Sequence, residues 1–245
     1  MELITSRKNR IVTHIRKLAG DRAYRRSCRE YICDGEKFLR EAVQFGAEVT
    51  TVLWAEGANA FDVPSAESYF VPRELMEYVS PLKNSPGPVF AVRMPNGSAA
   101  RGGRAIILET VQDPGNVGTV IRTASALGID RVLLCGSCAD LYNPKTVRAT
   151  MGAIFRQRVE ETDIAALREL GIPIYGAALS DKAVDVRALE LAGKECAVAI
   201  GSEGRGLSRE MLEVCDGEII IPMAPDSESL NAAVAAAIVM WEMAR

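Results

Sequence analysis

The chain has 245 residues, 48% hydrophobic, 25% charged and 6% aromatic, with a formal net charge of −3. That length suits one large or two modest domains and can bury a core without metal or disulfide help, and the apolar–charged balance excludes intrinsic disorder. The longest apolar run, 232–241, falls well short of the roughly 18 residues of a membrane span, and the first ten residues lack an apolar stretch or cleavage site, so the expectation is a soluble cytoplasmic protein.

In chain order, residues 1–40 come first as a basic segment, with eleven Lys and Arg against five acids, while the rest of the chain is net −9. Such a leading segment can dock a polyanion, with Arg22, Arg25 and Arg26 among the docking residues; a solvated helix face reads the same way. The single histidine, His14, lies in this helical stretch, which excludes a zinc site with two His ligands and leaves it no expected catalytic part. Residues 31–33 read as a short strand. Gly35 then turns the chain into a helix with Phe38, Leu39, Ala42 and Val43 at 3.6 spacing, ended by Gly46. A β-branched strand at 49–54, a short helix opened by Pro72 and a strand at 89–92 complete a small α/β domain over 1–94.

Residues 95–104 read as a linker, and they include an Asn96-Gly97-Ser98 sequon without secretory context. Beyond it, 105–245 alternates strands at 105–108, 131–134, 172–175, 196–200 and 218–221 with helices at 117–127, 164–170 and 208–214. Continuous apolar strands separated by helices indicate a parallel sheet covered on both faces. Cutting before this region is expected to leave it folded. Cys135 and Cys138 form a C-x-x-C, the basis of an alternative reading as a dithiol oxidoreductase. No second such pair completes a zinc set, and the following residues read as loop, so buried apolar thiols are the better reading. The last helix, 229–243, is apolar nearly all round. One stripe holds Leu230, Val234, Ile238 and Trp241; another, Val239, Met240 and Met243, is expected to face a second subunit.

Three Gly-containing loops follow strands of the second region, at the carboxyl ends where parallel sheets bind ligands. None is a G-x-G-x-x-G or a P-loop. The first contains Asn116-Val117-Gly118 and Arg122-Thr123-Ala124. The second is Gly201-Ser202-Glu203-Gly204-Arg205-Gly206-Leu207, and the third runs from Ile221-Pro222-Met223 to Glu228-Ser229-Leu230-Asn231. In this order they resemble the motifs of the SpoU-TrmH family of RNA ribose 2′-O-methyltransferases. Residues 143–156 also resemble the family, and segments 4–9, 30–43 and 85–92 are similar to the RNA-binding domain of its ribosomal-RNA branch, so the likeness covers nearly the whole chain. Two departures are Pro225, where the family usually has Gly, and Ala233, where Ser is frequent.

The resemblance implies a C-terminal α/β domain closed by a deep trefoil knot, preceded by a small ribosomal-protein-like RNA-binding domain. It implies S-adenosylmethionine as cofactor, held by Gly201, Ile221 and Leu230 largely through main-chain atoms; no metal is expected, because no His, Cys and carboxylate cluster of ligand spacing accompanies the motifs. Asn116, Arg122, Glu203, Ser229 and Asn231 are the implied catalytic residues, and the partners are RNA, ribosomal in the first instance, and a second copy of the chain through the C-terminal helix. The alternatives are a tRNA 2′-O-methyltransferase and an RNA-binding, ribosome-associated protein that has lost catalysis. Read without the resemblance, Ser229 is a helix N-cap, Glu203 a surface acid and Asn116 a turn residue.

Overall fold

The computed structural model describes residues 1–83, 85–95, 102–224 and 229–245. Most of the expected linker, the sequon, Pro225 and Glu228 lie outside the described residues. The chain divides into two compact units, one formed by Met1–Asn96 with Asp140–Phe155, the other by Gly97–Ala139 with Arg156–Arg245. Among the described residues no helix is long and apolar enough to cross a membrane.

The first unit runs β1 (Glu2–Leu3), α1 (Arg10–Gly20), α2 (Arg22–Cys28), β2 (Glu30–Asp34), α3 (Glu36–Gln44), β3 (Val49–Ala55), β4 (Glu67–Val71), α4 (Arg73–Val79) and β5 (Val89–Arg93). Its sheet has the order β1-β4-β3-β5-β2; β1, β4 and β3 are parallel, and β5 runs antiparallel to β3 and β2. Side-chain alternation along the strands builds two cores. Leu53, Val89 and Ala91 face Val12, Ile15 and Leu18 of α1, while Val52, Trp54, Phe90 and Val92 face Leu39 and Ala42 of α3. Asn9 starts α1 by accepting the Ile11 amide at 2.8 Å, and Asp21 starts α2 by accepting that of Tyr24 at 3.0 Å.

Two polar residues of this unit are structural. His14 bonds the Tyr24 hydroxyl through Nδ1 and Glu30 through Nε2, each at 2.9 Å. That hydrogen bond holds the Glu30 carboxyl below its ordinary pKa, against the opposing effect of burial. Arg25, expected to dock a polyanion, is instead buried. Its guanidinium donates to Leu18 O at 2.7 Å and pairs with Asp140 at 2.6 Å. A cation so enclosed holds the fold and offers no edge to a partner.

The second unit opens with β6 (Ala105–Glu109), α5 (Pro114–Ala126) and β7 (Arg131–Cys135). The helix α6 (Pro144–Ala149) follows in sequence but belongs to the first unit, where Val147, Tyr142, Ile154 and Phe155 pack on the α3-side core. The second unit resumes with β8 (Arg158–Thr162), α7 (Ile164–Leu167) running into a 3-10 turn, β9 (Ile174–Ala177), β10 (Val184–Asp185), β11 (Ala197–Ile200), α8 (Arg209–Val214), β12 (Gly217–Ile220) and α9 (Ala232–Ala244). Its seven strands are all parallel, in the order β10-β12-β9-β11-β6-β7-β8. Every residue of β6, β7 and β11 is buried, as expected of strands covered on both faces.

The final helix corrects one expectation. Ala232, Ala233, Ala236, Val239, Met240 and Met243 are buried within this single chain, where α9 packs on α5 and β11. The uncovered stripe is the other one: Val234 is 47% and Trp241 59% exposed, with Ile238 half-buried between them. Small alanines on the inner face let α9 lie close to its neighbours, which brings Val239 and the two methionines into the core. The helix also starts later than expected, with Asn231 rather than Ser229 as its cap.

Candidate active site

The loops leaving β9, β11 and β12 line one cavity of about 550 Å³ at the carboxyl ends of these adjacent strands. Gly201, Ile221 and Leu230, the expected cofactor residues, all line it, as do Glu203 and Ser229. The loop after β11 folds back tightly: the Gly206 amide donates to Ser202 O at 2.8 Å, and Gly206 takes a φ of 65°. A Cβ on Gly201 would fall inside the backbone of Gly206 and Leu207. Glycine at 201 is therefore a steric requirement of the loop, and Gly201, Gly204 and Gly206 leave parts of the cavity lining as bare main chain. Opposite it, Ile221, Met223 and Leu230 supply apolar surface. Main-chain polar groups beside aliphatic side chains suit a flat ligand with a polar edge, such as a purine nucleoside.

At one side of the cavity three expected catalytic residues meet. Asp113 caps α5 by accepting the Asn116 amide at 2.8 Å, which fixes Asn116 in the first turn. Asn231 caps α9, its Oδ1 accepting the amides of Ala233 at 3.0 Å and Val234 at 3.3 Å. With its oxygen so occupied, Asn231 must present Nδ2 outward. That group donates to Glu203 Oε1 at 2.7 Å and to Asn116 Oδ1 at 3.1 Å. Asn116 Nδ2 donates to the same Glu203 oxygen at 2.5 Å. Two helix N-termini and the β11 loop are thus joined through one carboxylate.

Arg122 is not part of this cluster. It is exposed on α5, six residues beyond Asn116 and so about 120° round the helix, outside the cavity lining. Its side chain makes no hydrogen bond or ion pair among the described residues. Two residues that sequence reasoning passed over support the site. One is Asp113, the α5 cap. The other is Glu109, 5% exposed at the end of β6, whose carboxylate accepts the Ser208 amide at 2.8 Å and hydroxyl at 2.6 Å. Glu109 thereby anchors the far end of the β11 loop. An acid closing an otherwise apolar strand was its only sequence signal.

Other chemistries find less support. Burial, then Glu109, pushes the Cys135 thiol up to about 11, and burial raises Cys138, which donates to the carbonyls of Leu108 and Cys135. Neither thiol is poised as a thiolate, which the dithiol reading requires. Among the described residues no three His, Cys, Asp or Glu side chains cluster as metal ligands do.

An all-parallel α/β unit with one cavity at its strand ends, lined in part by bare main chain and flanked by amides fixed on a carboxylate, defines a nucleoside-binding α/β domain. The chain belongs to the SpoU rRNA methylase family, whose model matches residues 103–241. It is 30% identical over 99% of both chains to the Bacillus subtilis 23S rRNA (guanosine(2553)-2′-O)-methyltransferase RlmP. It is 31% identical to the Streptomyces viridochromogenes 23S rRNA (uridine(2479)-2′-O)-methyltransferase, over 99% of this chain and 91% of that one. The AdoMet-bound rRNA methyltransferase from Sinorhizobium meliloti superposes with a TM-score of 0.87, covering 99% of this chain and 97% of that one at 26% identity.

Proposed function

We propose that the chain transfers a methyl group from S-adenosylmethionine to a ribose 2′-hydroxyl of ribosomal RNA. The observation that carries this reading is the juxtaposition of the cavity, lined in part by bare main chain, with the Asn116–Glu203–Asn231 cluster. Ribosomal RNA is favoured over tRNA because two relatives matching 99% of the chain are named as 23S rRNA enzymes. The cavity fits the cofactor, since its volume of about 550 Å³ takes a nucleoside-sized ligand and Ile221 and Leu230 offer apolar faces to an adenosine. S-adenosylmethionine supplies an activated methyl group when bound. The remaining work is orientation and electrostatics. Asn116, Glu203 and Asn231 keep α5, the β11 loop and α9 in register, and Ser229 lies where the cavity wall enters α9.

Arg122 holds the phosphate beside the target ribose and stabilises the developing alkoxide. A guanidinium, with its pKa above about 12, is not the proton acceptor. Because Arg122 lies outside its own chain's cavity lining, the reading includes a two-fold dimer in which one copy's Arg122 serves the partner's site. The exposed stripe of Val234, Ile238 and Trp241 supports this pairing, since contiguous apolar surface of that kind marks an interface. The finer fold carried by the family likeness, a trefoil knot in the second unit and an RNA-binding role for the first, belongs to the same proposal. The test is to incubate the protein with S-adenosylmethionine and a large-subunit ribosomal RNA transcript, then digest the RNA and analyse its nucleosides by mass spectrometry. A 2′-O-methylated nucleoside, lost with Glu203→Ala, is expected. Methylation confined to bases, or to tRNA offered in competition, would overturn the reading.

A further inference from the structure

The structure assigns an RNA-docking face to α1 and the turn before it. The segment 7–17 contains Arg7, Lys8, Arg10, Arg16 and Lys17 and no acid. All five are exposed. None of them forms a hydrogen bond or ion pair through its side chain among the described residues. Elsewhere in the same unit, exposed arginines are neutralised by acids: Arg40, which also lies over the Phe61 ring, pairs with Glu36, Arg73 with Glu77 and Arg93 with Glu48. Three of the five cations of the α1 segment, Arg7, Arg16 and Lys17, rest instead on aromatic rings. The guanidinium carbons of Arg7 and Arg16 lie 4.8 Å and 5.2 Å from the centre of the Tyr78 ring, and Lys17 Nζ lies 5.2 Å from that of Tyr24.

The difference matters physically. An ion pair fixes a cation by neutralising it, whereas a ring face holds it by its quadrupole and leaves its charge and N–H edges available. Bringing two guanidinium groups to one ring also brings two like charges together, an arrangement that an anion between or beside them relieves. The acids nearest in sequence to Tyr78 are Glu74 and Glu77, and Glu77 is engaged by Arg73. On the α2 side, His14 and Glu30 already bond each other. Along α1, Arg10 and Lys17 lie seven residues apart on its outer face, with Arg16 at the flank toward α4. Cations free of ion pairs along α1 and the turn before it, three of them held by rings rather than by carboxylates, fit the regularly spaced phosphates of a nucleic-acid strand. Arg25, on α2, is excluded from this face by its buried pair with Asp140. The identification of the strand as RNA rests on the proposed function; the face itself does not.

The test measures binding of the full-length protein to a large-subunit ribosomal RNA transcript across a series of salt concentrations, with S-adenosylmethionine binding measured in parallel by calorimetry. Losing two phosphate contacts in Arg7→Ala/Arg16→Ala should flatten the slope of log affinity against log salt by about 1.4 to 1.8. The control Arg40→Ala/Arg73→Ala should leave that slope as in the wild type. Tyr78→Phe should bind as the wild type, and Tyr78→Leu, which keeps an apolar side chain but removes the ring, should weaken binding several-fold. Cofactor binding should be the same in all. A wild-type slope in the Arg7/Arg16 variant, or an equal loss in the control, overturns the proposal. So does binding to anionic phosphatidylglycerol vesicles, rather than RNA, that depends on Arg7 and Arg16. Failure of the wild type to bind S-adenosylmethionine would count against the proposed function and leave the docking face to be judged by its salt slope.

Discussion

At the scale of single residues, Asn231 does two things that a substitution can separate. Its Oδ1 caps α9, and its Nδ2 donates to Glu203 and Asn116. Asn231→Asp keeps an oxygen for the cap, since aspartate is as good an N-cap as asparagine. It replaces the donor with a second carboxylate oxygen, where Asn231 Nδ2 now sits 2.7 Å from Glu203 Oε1. Losing a hydrogen bond to a charged acceptor costs about 1.5–3 kcal/mol, and like charge adds repulsion. The melting temperature should therefore drop by several degrees with the α9 cap intact, while methyl transfer falls by about ten- to a hundredfold. Asn231→Ala should lose both, with about 1 kcal/mol of stability going with the cap. If Asn231→Asp retained full activity, the cluster would have no part in the reaction. The residue types around the site were readable in the motifs, but their joining was not. Nothing in the spacing of 116, 203 and 231 tells that one carboxylate oxygen receives both amides, and the anchoring by Glu109 depends on β6 lying beside β11.

At the scale of elements, α9 shows how far periodicity reaches. The sequence of 229–243 displays two apolar stripes, but period alone cannot say which neighbours cover which stripe, because that is set by α5 and β11. The stripe of Val239, Met240 and Met243 is fully buried, and that of Val234, Ile238 and Trp241 is the open one, lining a shallow groove with Asn116 and Thr119. Elsewhere, the strands buried on both faces announce themselves as apolar runs, and β6, β7 and β11 fall where those runs lie. Three of the four edge strands do not. Strand β8 ends the sheet with the half-exposed sequence RVEET, and β1 and β10 are two residues each. These elements exist because a neighbour offers them hydrogen bonds, which a local pattern cannot show. The two stripes of α9 predict opposite outcomes. Trp241→Asp should give a folded protein with weakened self-association by sedimentation. Met240→Asp should fail to fold, because its carboxylate would be buried without a partner. A wild-type protein that sediments as a monomer at assay concentration, while fully active, would remove the dimer from the reading.

At the scale of the whole molecule, the two units do not divide the chain at a single point. Asp140–Phe155 belongs to the first unit although it lies within the sequence of the second. Its side chains are not peripheral there. Val147 is 2% exposed, the Tyr142 ring sits 4.7 Å from that of Tyr31, and Phe155 meets Phe38 edge-on at 6.3 Å. Asp140 also provides the partner of the buried Arg25. A fragment beginning at residue 97 would keep this segment and lose everything it packs on. Each large apolar side chain left in water forfeits about 1.5–3 kcal/mol of burial, so the stranded Tyr142, Val147, Ile154 and Phe155 should make the fragment aggregate. Changing these four to serine should have opposite effects in the two contexts, keeping the fragment soluble in size-exclusion chromatography while lowering the melting temperature of the full chain. An unmodified 97–245 fragment that stays soluble and melts as cooperatively as the full protein would show that 140–155 is held by its own unit of sequence after all. The soluble fragment would also separate the two halves of the functional reading, because S-adenosylmethionine binding should persist in it while affinity for ribosomal RNA and its salt dependence go with α1.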